Sequence, residues 1–370
     1  IIQYAVLCCL LAIALPQYAQ THTHKTYDLA SHNEKNFAMG KTSDGNFVTV
    51  SSDDVLVHFG ARQCGLTFMK LDSCLDTIQF ASIQPINVAD PASFMSPTDF
   101  IRAYEIKEVE GQYLVCGSLW YAGISNDRET GFAMKLDASF NMIEFKVYTN
   151  TKRLYGIIPQ VSKSGYVLAG EAYKGGVILE ANSSLDSAGH PPFWHYTYDG
   201  GSIYDLIRTQ GDQFVFTGSV PYKGSDNDLL IGRMDDYGSI NWEYQYDNSS
   251  MPGIQTDEVG KGVVFDGADA LYVSGQANAN MGGPLQSDVL VASFSHATGN
   301  INWDKSYDLG GYSNEIGEKI LISQNSELQV TGTIDNDFPA GVSSNGLKLE
   351  VDLTGDPINT EVYGTSAHEE

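Results

Sequence analysis

FVFTG at Phe214–Gly218, LYVSG at Leu271–Gly275 and LQVTG at Leu328–Gly332 are the segments that decide the fold of this 370-residue chain. Each contains an aromatic residue or leucine, three mostly apolar residues and then a glycine. YLVCG (113–117) and YVLAG (166–170) follow the same pattern, and FVTVS (47–51) ends in serine instead. Successive copies end 48 to 66 residues apart. Recurrence at such a period predicts a repeat architecture built from one supersecondary unit.

Each copy lies inside a larger unit of four predicted strands. A short apolar strand and a turn precede the copy, as in GKGVVFDGADALYVSG (260–275), and an alternating strand follows it, as in LVASFS (290–295). A tight turn then leads to a fourth strand with a large aromatic residue, at Phe80, Phe145, Trp194, Trp242 and Trp303. Period-two alternation bounded by Gly, Asn and Asp is typical of strands joined in hairpins. The pattern therefore predicts an all-β fold, a six-bladed β-propeller of four-stranded antiparallel blades, with the tryptophans largely buried between blades.

The beginning of the sequence has a different character. Residues 1–20 hold one uncharged apolar run, Tyr4–Leu15, which Pro16 ends before a small residue, Ala19. These are features of the h-region and cleavage region of a signal peptide. We expect an N-terminally incomplete signal peptide over 1–20, a leader over 21–35, the propeller over 36–364 and a tail over 365–370. The expected location is secreted or at the cell surface, without insertion into a membrane.

The chain is strongly acidic, with 46 Asp and Glu against 21 Lys and Arg, and a formal net charge of −25. Such a surface repels phosphate backbones and anionic lipid headgroups, which excludes nucleic acid and membrane surfaces as expected partners. Beyond the signal peptide, Cys64, Cys74 and Cys116 remain. Three is an odd number, so we expect at most one disulfide.

Two turn-and-strand segments carry a resemblance to known families. MDDYGSINWEYQY (234–246) and SHATGNINWDKSY (295–307) resemble the D-x-x-G-x-x-x-W repeats of quinoprotein-like propellers. The whole unit is similar to the W-x-K-x-Y repeats of secreted Bacteroidetes propellers, which are often described as bulb-type-lectin-like. The resemblance implies a secreted repeat propeller and specifies the fold rather than a chemistry. The last unit departs from the pattern, because Thr360 stands where the tryptophan is expected.

Predicted loop lengths differ between the two faces of the propeller. Turns within the first and within the second strand pair are tight, whereas longer loops are predicted at 52–64, 84–101, 118–130, 220–228, 247–258, 278–288 and 334–345. These longer loops all project from one face, the long-loop face, opposite the tight-turn face. Long loops on a rigid scaffold commonly carry binding sites. The ligand-binding residues predicted there are Trp120, Tyr121, Tyr222, Asp226, Asp257, Asp335 and Asp337.

These residue types favour binding over catalysis. Aromatic side chains beside carboxylates suit stacking on sugar rings, and they suit the basic patch of a protein partner equally. No GxSxG, P-loop or HExxH motif is present. We therefore expect a non-enzymatic propeller that recognises a glycan or a protein. A carbohydrate-active hydrolase or lyase and a structural surface or matrix protein remain the alternatives.

Metal binding has little support in the sequence. Oxygen donors alternate in Ser225–Asp228 and Asp335–Asp337, but neither segment has the glycine and distal glutamate of an EF-hand loop. We therefore expect no cofactor and no metal site. Calcium is the one ion that these segments could hold.

Overall fold

The computed structural model describes residues 35–57, 61–83, 100–121, 128–161, 163–187, 195–211, 213–222, 226–247, 256–279, 287–309, 313–336 and 344–363. Within these ranges the chain forms 24 strands and no helix. The predicted signal peptide and tail and most of the leader lie outside them.

The strands group into six blades in chain order. Blade 1 holds β1 (Lys35–Lys41), β2 (Phe47–Val57), β3 (Ala61–Leu71) and β4 (Thr77–Ile83). Blade 2 holds β5 (Phe100–Val109), β6 (Gln112–Tyr121), β7 (Arg128–Leu136) and β8 (Met142–Tyr148), and blade 3 holds β9 (Thr151–Pro159), β10 (Gly165–Ala172), β11 (Gly175–Asn182) and β12 (His195–Asp199). Blade 4 holds β13 (Ser202–Arg208), β14 (Phe214–Tyr222), β15 (Asp226–Met234) and β16 (Ile240–Tyr246). Blade 5 holds β17 (Thr256–Phe265), β18 (Ala270–Ala279), β19 (Ser287–Ser295) and β20 (Ile301–Tyr307), and blade 6 holds β21 (Ser313–Ile322), β22 (Leu328–Asn336), β23 (Ser344–Val351) and β24 (Pro357–Tyr363).

Every blade is a four-stranded antiparallel sheet of consecutive strands. One parallel pair, Ser287 with Asn314, links the sheets of blades 5 and 6. The first strands of successive blades contact one another from β1 and β5 through to β17 and β21, which places them around the axis of the ring. This architecture confirms the predicted all-β, six-bladed propeller.

The glycine that ends each repeated segment has a steric cause. A Cβ at Gly117, Gly218 or Gly275 would lie 1.8 to 2.0 Å from a carbonyl oxygen of the blade's first strand. Beside this close approach the pairing shifts by one residue, as between Ala103 and Glu105. The shift is a β-bulge, which leaves one residue of the first strand out of the ladder and re-aims its side chain. The residues skipped in blades 2 to 6 are Tyr104, Tyr155, Tyr204, Lys261 and Glu318.

The core consists of apolar layers between consecutive blades. Between blades 1 and 2, for example, Val50 and Phe68 pack with Phe132 and Met134, and all four are fully buried. Comparable clusters lie at each junction from blade 2 to blade 6. Both faces of blades 2 to 5 are therefore covered, which explains why their strands hold consecutive apolar residues such as Val167, Leu168 and Ala169.

Trp242 and Trp303 join neighbouring blades, and both pack against the apolar clusters between blades with a minor part of their surface exposed, as predicted. The indole N–H of Trp242 donates to the carbonyl of His296 in blade 5 at 3.0 Å. That of Trp303 donates to the carbonyl of Leu353 in blade 6 at 3.1 Å. Trp194 lies outside the described residues.

The fourth-strand aromatic residues do not all occupy one position, contrary to expectation. Trp242 pairs with Arg233 of the third strand. The third-strand residues that match Arg233 in blades 1 and 2 pair with Gln79 and Glu144. Phe80 and Phe145 therefore lie one residue further along, on the opposite face of their strands. In the last blade the matching residue is Asn359, not Thr360. A shift of one residue reverses the face of a strand, and the sequence does not reveal the register after the turn.

The described cysteines Cys74 and Cys116 are both free thiols. Burial raises the pKa of Cys116 well above its ordinary value. Cys64 lies in β3, and its side chain is outside the described part of the chain. No described helix is long and apolar enough to cross a membrane.

Candidate ligand-binding site beside Trp120

The predicted site residues lie in strands rather than in loops. Trp120 and Tyr121 end β6, Tyr222 ends β14, Asp226 begins β15, Asp257 lies in β17 and Asp335 lies in β22, whereas Asp337 is outside the described residues. The cause is that the second and third strands continue further than expected, so that only 223–225 separate β14 from β15. The residues are distributed over blades 2, 4, 5 and 6 and do not form one cluster. Trp120 lines a cavity.

The Trp120 cavity has a volume of about 230 Å³ and is lined by Arg102, Ser118, Trp120 and Glu129. The strand register brings these side chains together, because Arg102 pairs with Ser118, and Trp120 pairs with Glu129. Paired residues at alternate positions share one face of a sheet. The face in question points towards blade 3, whose β8–β9 and β10–β11 connections are two-residue turns. Trp120 is 40% exposed in this part of the long-loop face, where the neighbouring connections are short.

Glu129 is held by a cation from the neighbouring blade. The Oε2 atom of Glu129 accepts from Nε of Arg153 at 2.8 Å and lies 2.7 Å from its second terminal nitrogen, Nη2. The same guanidinium is 3.9 Å from Glu171, which also pairs with Lys152 at 2.8 Å. The hydrogen bond to Glu129 raises the pKa of Arg153. One wall of the cavity is therefore a carboxylate with a fixed orientation.

A row of tyrosines leads from this cavity towards the axis. The hydroxyls of Tyr104 and Ser118 are 3.2 Å apart. The ring centroids of Tyr104 and Tyr155 are 5.0 Å apart, and those of Tyr155 and Tyr204 are 5.1 Å apart. The ammonium of Lys261 lies 3.6 Å from the Tyr204 ring centroid, within cation–π range. The bulges in the first strands of blades 2 to 4 thus place three tyrosine rings side by side.

Our sequence reasoning missed these tyrosines, although a signal existed. RAY (102–104), RLY (153–155) and SIY (202–204) place a tyrosine at one repeat position in three successive units. Because the repeat was aligned on its second strand, this first-strand position was not compared.

Among the described residues, two groups of carboxylates could hold a cation. Asp228, Asp247 and Glu258 form one group, and Asp288, Asp308 and Glu315 form the other; within each group the oxygens lie within 4.8 Å of one another. The two groups occupy equivalent positions at successive blade junctions, because Leu229–Tyr246 and Val289–Tyr307 are matching pairs. Such oxygens are the ligand type that calcium prefers. Glu315 also accepts the backbone N–H of Leu309 at 3.0 and 2.8 Å, so it stabilises the chain locally.

Comparison with known proteins supports the fold alone. No protein-family model matches the chain, and no curated protein does. Among solved structures it is similar to hydrazine synthase of Kuenenia stuttgartiensis, with 13% identity, a TM-score of 0.51 and coverage of 85% of this chain and 79% of that chain. The Dos1 propeller has 10% identity, a TM-score of 0.46 and coverage of 92% and 86%. The propeller domain of the Trilobed protease from Pyrococcus furiosus has 7% identity, a TM-score of 0.43 and coverage of 92% and 95%.

Carbohydrate-active enzymes are also among the structures with this fold. They include an endo-1,4-beta-xylanase from Bacteroides thetaiotaomicron and a polysaccharide lyase, at TM-scores of 0.40 and 0.42. Likeness at this level assigns no activity to this chain. The closer resemblance to secreted Bacteroidetes repeats stays a prediction.

Proposed function

We propose that this protein is a secreted or cell-surface binding propeller that recognises a saccharide at the Trp120 cavity. The observation that carries the proposal is the exposed Trp120 indole, which shares one concave site with a guanidinium and a carboxylate, those of Arg102 and Glu129. An indole face stacks on the apolar face of a sugar ring. The guanidinium of Arg102 can donate hydrogen bonds to sugar hydroxyls, and the carboxylate of Glu129 can accept hydrogen bonds from them.

The size of the cavity favours a sugar over a protein partner. Its volume of about 230 Å³ is below the range of about 300–1,000 Å³ typical of sites for drug-sized ligands. A stable protein interface, by contrast, buries about 1,200–2,000 Å² of total surface. A concave site of this size fits a single sugar ring better than a protein surface.

The arrangement of carboxylates favours binding over hydrolysis. Glycosidases generally need two carboxyl groups on opposite sides of the scissile bond, about 5–9.5 Å apart. Among the described residues that line the Trp120 cavity, Glu129 is the one carboxylate, and Arg153 already occupies one of its oxygens. This geometry offers orientation of a ligand rather than a general acid opposite a base.

A glycan array with matched variants tests the proposal. Trp120→Ala should weaken binding about tenfold or more, because stacking and burial of an aromatic side chain contribute about 1.5 kcal/mol or more. Trp120→Phe should retain part of the affinity. Tyr237→Ala is the control, because Tyr237 is 74% exposed in a turn on the tight-turn face.

Melting temperatures of the three variants should remain close to that of the parent protein. Retention of full affinity by Trp120→Ala would place the site elsewhere. Release of a shortened saccharide during incubation would show that the protein is an enzyme.

A further inference from the structure

A second cavity lies on the axis of the propeller and opens towards the tight-turn face. This axial cavity has a volume of about 670 Å³ and is bordered mainly by the first strands of blades 1 to 4. Lys41 and Arg208 are at its rim, because β1 and β13 end there. Glu105, Asp205 and Lys319 lie deeper, directly after the bulges of their strands.

The two deep carboxylates are already engaged by protein groups. Glu105 accepts the backbone N–H of Ile157 at 2.6 Å, and its other oxygen lies 2.5 Å from the ammonium of Lys107. Asp205 accepts the backbone N–H of Val263 at 3.0 Å, and its other oxygen lies 3.0 Å from the ammonium of Lys319. Each carboxylate therefore joins its blade to the next one.

A glycine directly precedes each of the backbone N–H groups that these carboxylates bind. Gly156 and Gly262 stand at the repeat position that Glu105 and Asp205 occupy in blades 2 and 4. A Cβ at Gly156 would come within 3.8 Å of the Glu105 carboxylate. The carboxylates thus have a structural role, and their charges are balanced inside the cavity.

The basic groups, by contrast, retain unused donors. The ammonium of Lys319 has three N–H donors, and the side chain is 53% exposed. Burial lowers the pKa of Lys319, but the charges of Asp205 and Glu105 outweigh burial and raise it overall. Within the described ranges, Lys41 and Arg208 form no ion pair.

The lining of the axial cavity reverses the charge balance of the molecule. The chain has 46 acidic and 21 basic residues. The cavity has four basic residues, Lys41, Lys107, Arg208 and Lys319, against three acidic ones. The third acid, Glu108, accepts hydrogen bonds from the backbone and the hydroxyl of Ser43 at 2.6 and 3.0 Å. A recessed basic site focuses the local positive electrostatic potential, and this potential attracts a small anion.

We propose that the axial cavity binds a small organic anion, with its carboxylate or phosphate group near Lys319 and Lys107. Ile158, Pro159 and Ile207 form an apolar wall for the body of the ligand. The proposal is independent of saccharide binding at Trp120, because the two cavities open on opposite faces.

Isothermal titration calorimetry with defined probes tests this second site. Phenyl phosphate carries both an anionic group and an apolar body, inorganic phosphate carries the anion alone, and benzyl alcohol carries the body alone. Citrate distinguishes a carboxylate ligand from a phosphate ligand. We expect phenyl phosphate or citrate to bind with one-to-one stoichiometry and to bind more weakly as salt rises. Benzyl alcohol should not bind measurably.

Charge-neutralising variants locate the binding. Lys319→Gln should weaken anion binding about tenfold, the effect of losing one charge-assisted hydrogen bond. The rim double variant with Lys41→Gln and Arg208→Gln should weaken it without disturbing any internal ion pair, which guards against misfolding of Lys319→Gln. Lys174→Gln, in an exposed turn on the opposite face, is the matched control and should leave affinity unchanged.

The Trp120→Ala variant should bind the anions with the affinity of the parent protein. A loss of saccharide binding can therefore be distinguished from a loss of anion binding. No binding of any anion at millimolar concentration would overturn the proposal. An equal loss in Lys174→Gln would overturn it as well, since only the net charge would then matter.

Discussion

At the scale of single residues, the repeated glycine is the best example of a sequence feature with one physical cause. In each of blades 2 to 6 the second strand passes so close to a first-strand carbonyl that no side chain fits. The bulge opposite this glycine directs one side chain per blade out of the ladder, and blade 1 has the same shift opposite Ser51. The same glycine therefore connects the repeat pattern to the lining of the axis.

Replacing such a glycine should destabilise the fold. A Cβ at Gly275 would lie 1.8 Å from the Val259 carbonyl oxygen, so Gly275→Ala should lower the free energy of unfolding by about 1–3 kcal/mol. Gly346→Ala is the matched control in another strand, because its nearest contact would be an ordinary 3.6 Å. Denaturant unfolding measures both. Equal stabilities of the two variants would contradict the steric explanation.

A second residue-scale prediction concerns pH. Burial and the charge of Arg233 lower the pKa of His296, while Asp269 and Asp266 oppose them. A lowered folded pKa means that the unfolded chain binds the proton more tightly. The contribution of His296 to stability is therefore present above about pH 6.5 and is lost as the pH falls through the lowered value.

Thermal unfolding from pH 7.5 to 5 should show this loss in the parent protein. His296→Gln should show a smaller decrease over the same range, because a glutamine does not titrate. Its backbone carbonyl would still accept from Trp242, so the blade contact should persist. Identical pH profiles would exclude His296 as the cause.

The structural role of a residue was predictable where period-two alternation or the repeated glycine indicated it. It was not predictable where it depended on the strand register. The alternation identified the strands around Trp242 and Phe145, but the residues lie on opposite faces of their strands. Tyr104 was missed for a related reason, since a bulge breaks the alternation that predicts which side chains are buried. Trp120 was found, because a large aromatic residue beside a polar segment is visible without knowledge of register.

At the scale of strands and blades, the junction between the last and the first blade differs from the others. No described blade combines strands from both ends of the chain, so no strand pairing among the described residues links blade 6 to blade 1. Met39 in β1 is 61% exposed, whereas Leu206 and Ile157, at the same repeat position, are fully buried. Thr331 is exposed, and its counterparts Thr217 and Ser274 are not. This junction is the least packed of those described.

Hydrogen–deuterium exchange should therefore be faster in β1 (Lys35–Lys41) than in β13 (Ser202–Arg208), although both are first strands. Local opening is easiest where few apolar contacts must be broken. Because both are the first strands of their blades, a difference in their exchange rates reports the packing at the junction between the last and the first blade. Equal protection of β1 and β13 would show that the ring closes as firmly there as elsewhere.

Loop lengths gave an incomplete prediction of the site at this scale. The strands continue into several predicted loops, so that only 58–60 separate β2 from β3 and only 223–225 separate β14 from β15, and Trp120 lies at the end of β6. The surroundings of Trp120 depend on the short turns of blade 3, which a search for long loops passes over. The axial cavity at the tight-turn face was not predicted, because its lining comes from strands that are far apart in sequence.

At the scale of the whole molecule, the propeller presents two chemically different cavities at opposite ends. The Trp120 cavity combines an indole with one paired carboxylate, whereas the axial cavity concentrates basic side chains in a protein with a net charge of −25. The first suits a neutral, hydroxyl-rich ring and the second suits a small anion. Because a fold does not determine a function, the two proposals depend on these local sites.

The central claim is that a saccharide stacks on Trp120, and the indole N–H signals of the protein in a ¹⁵N-correlated NMR titration test it most directly. The chain has four tryptophans, so single Trp→Phe variants assign every signal. Adding a saccharide selected on the array should shift the Trp120 signal in proportion to occupancy. The signals of Trp242 and Trp303, whose N–H groups are bound to carbonyls, should not move. A saccharide that binds while the Trp120 signal stays in place would contradict the claim.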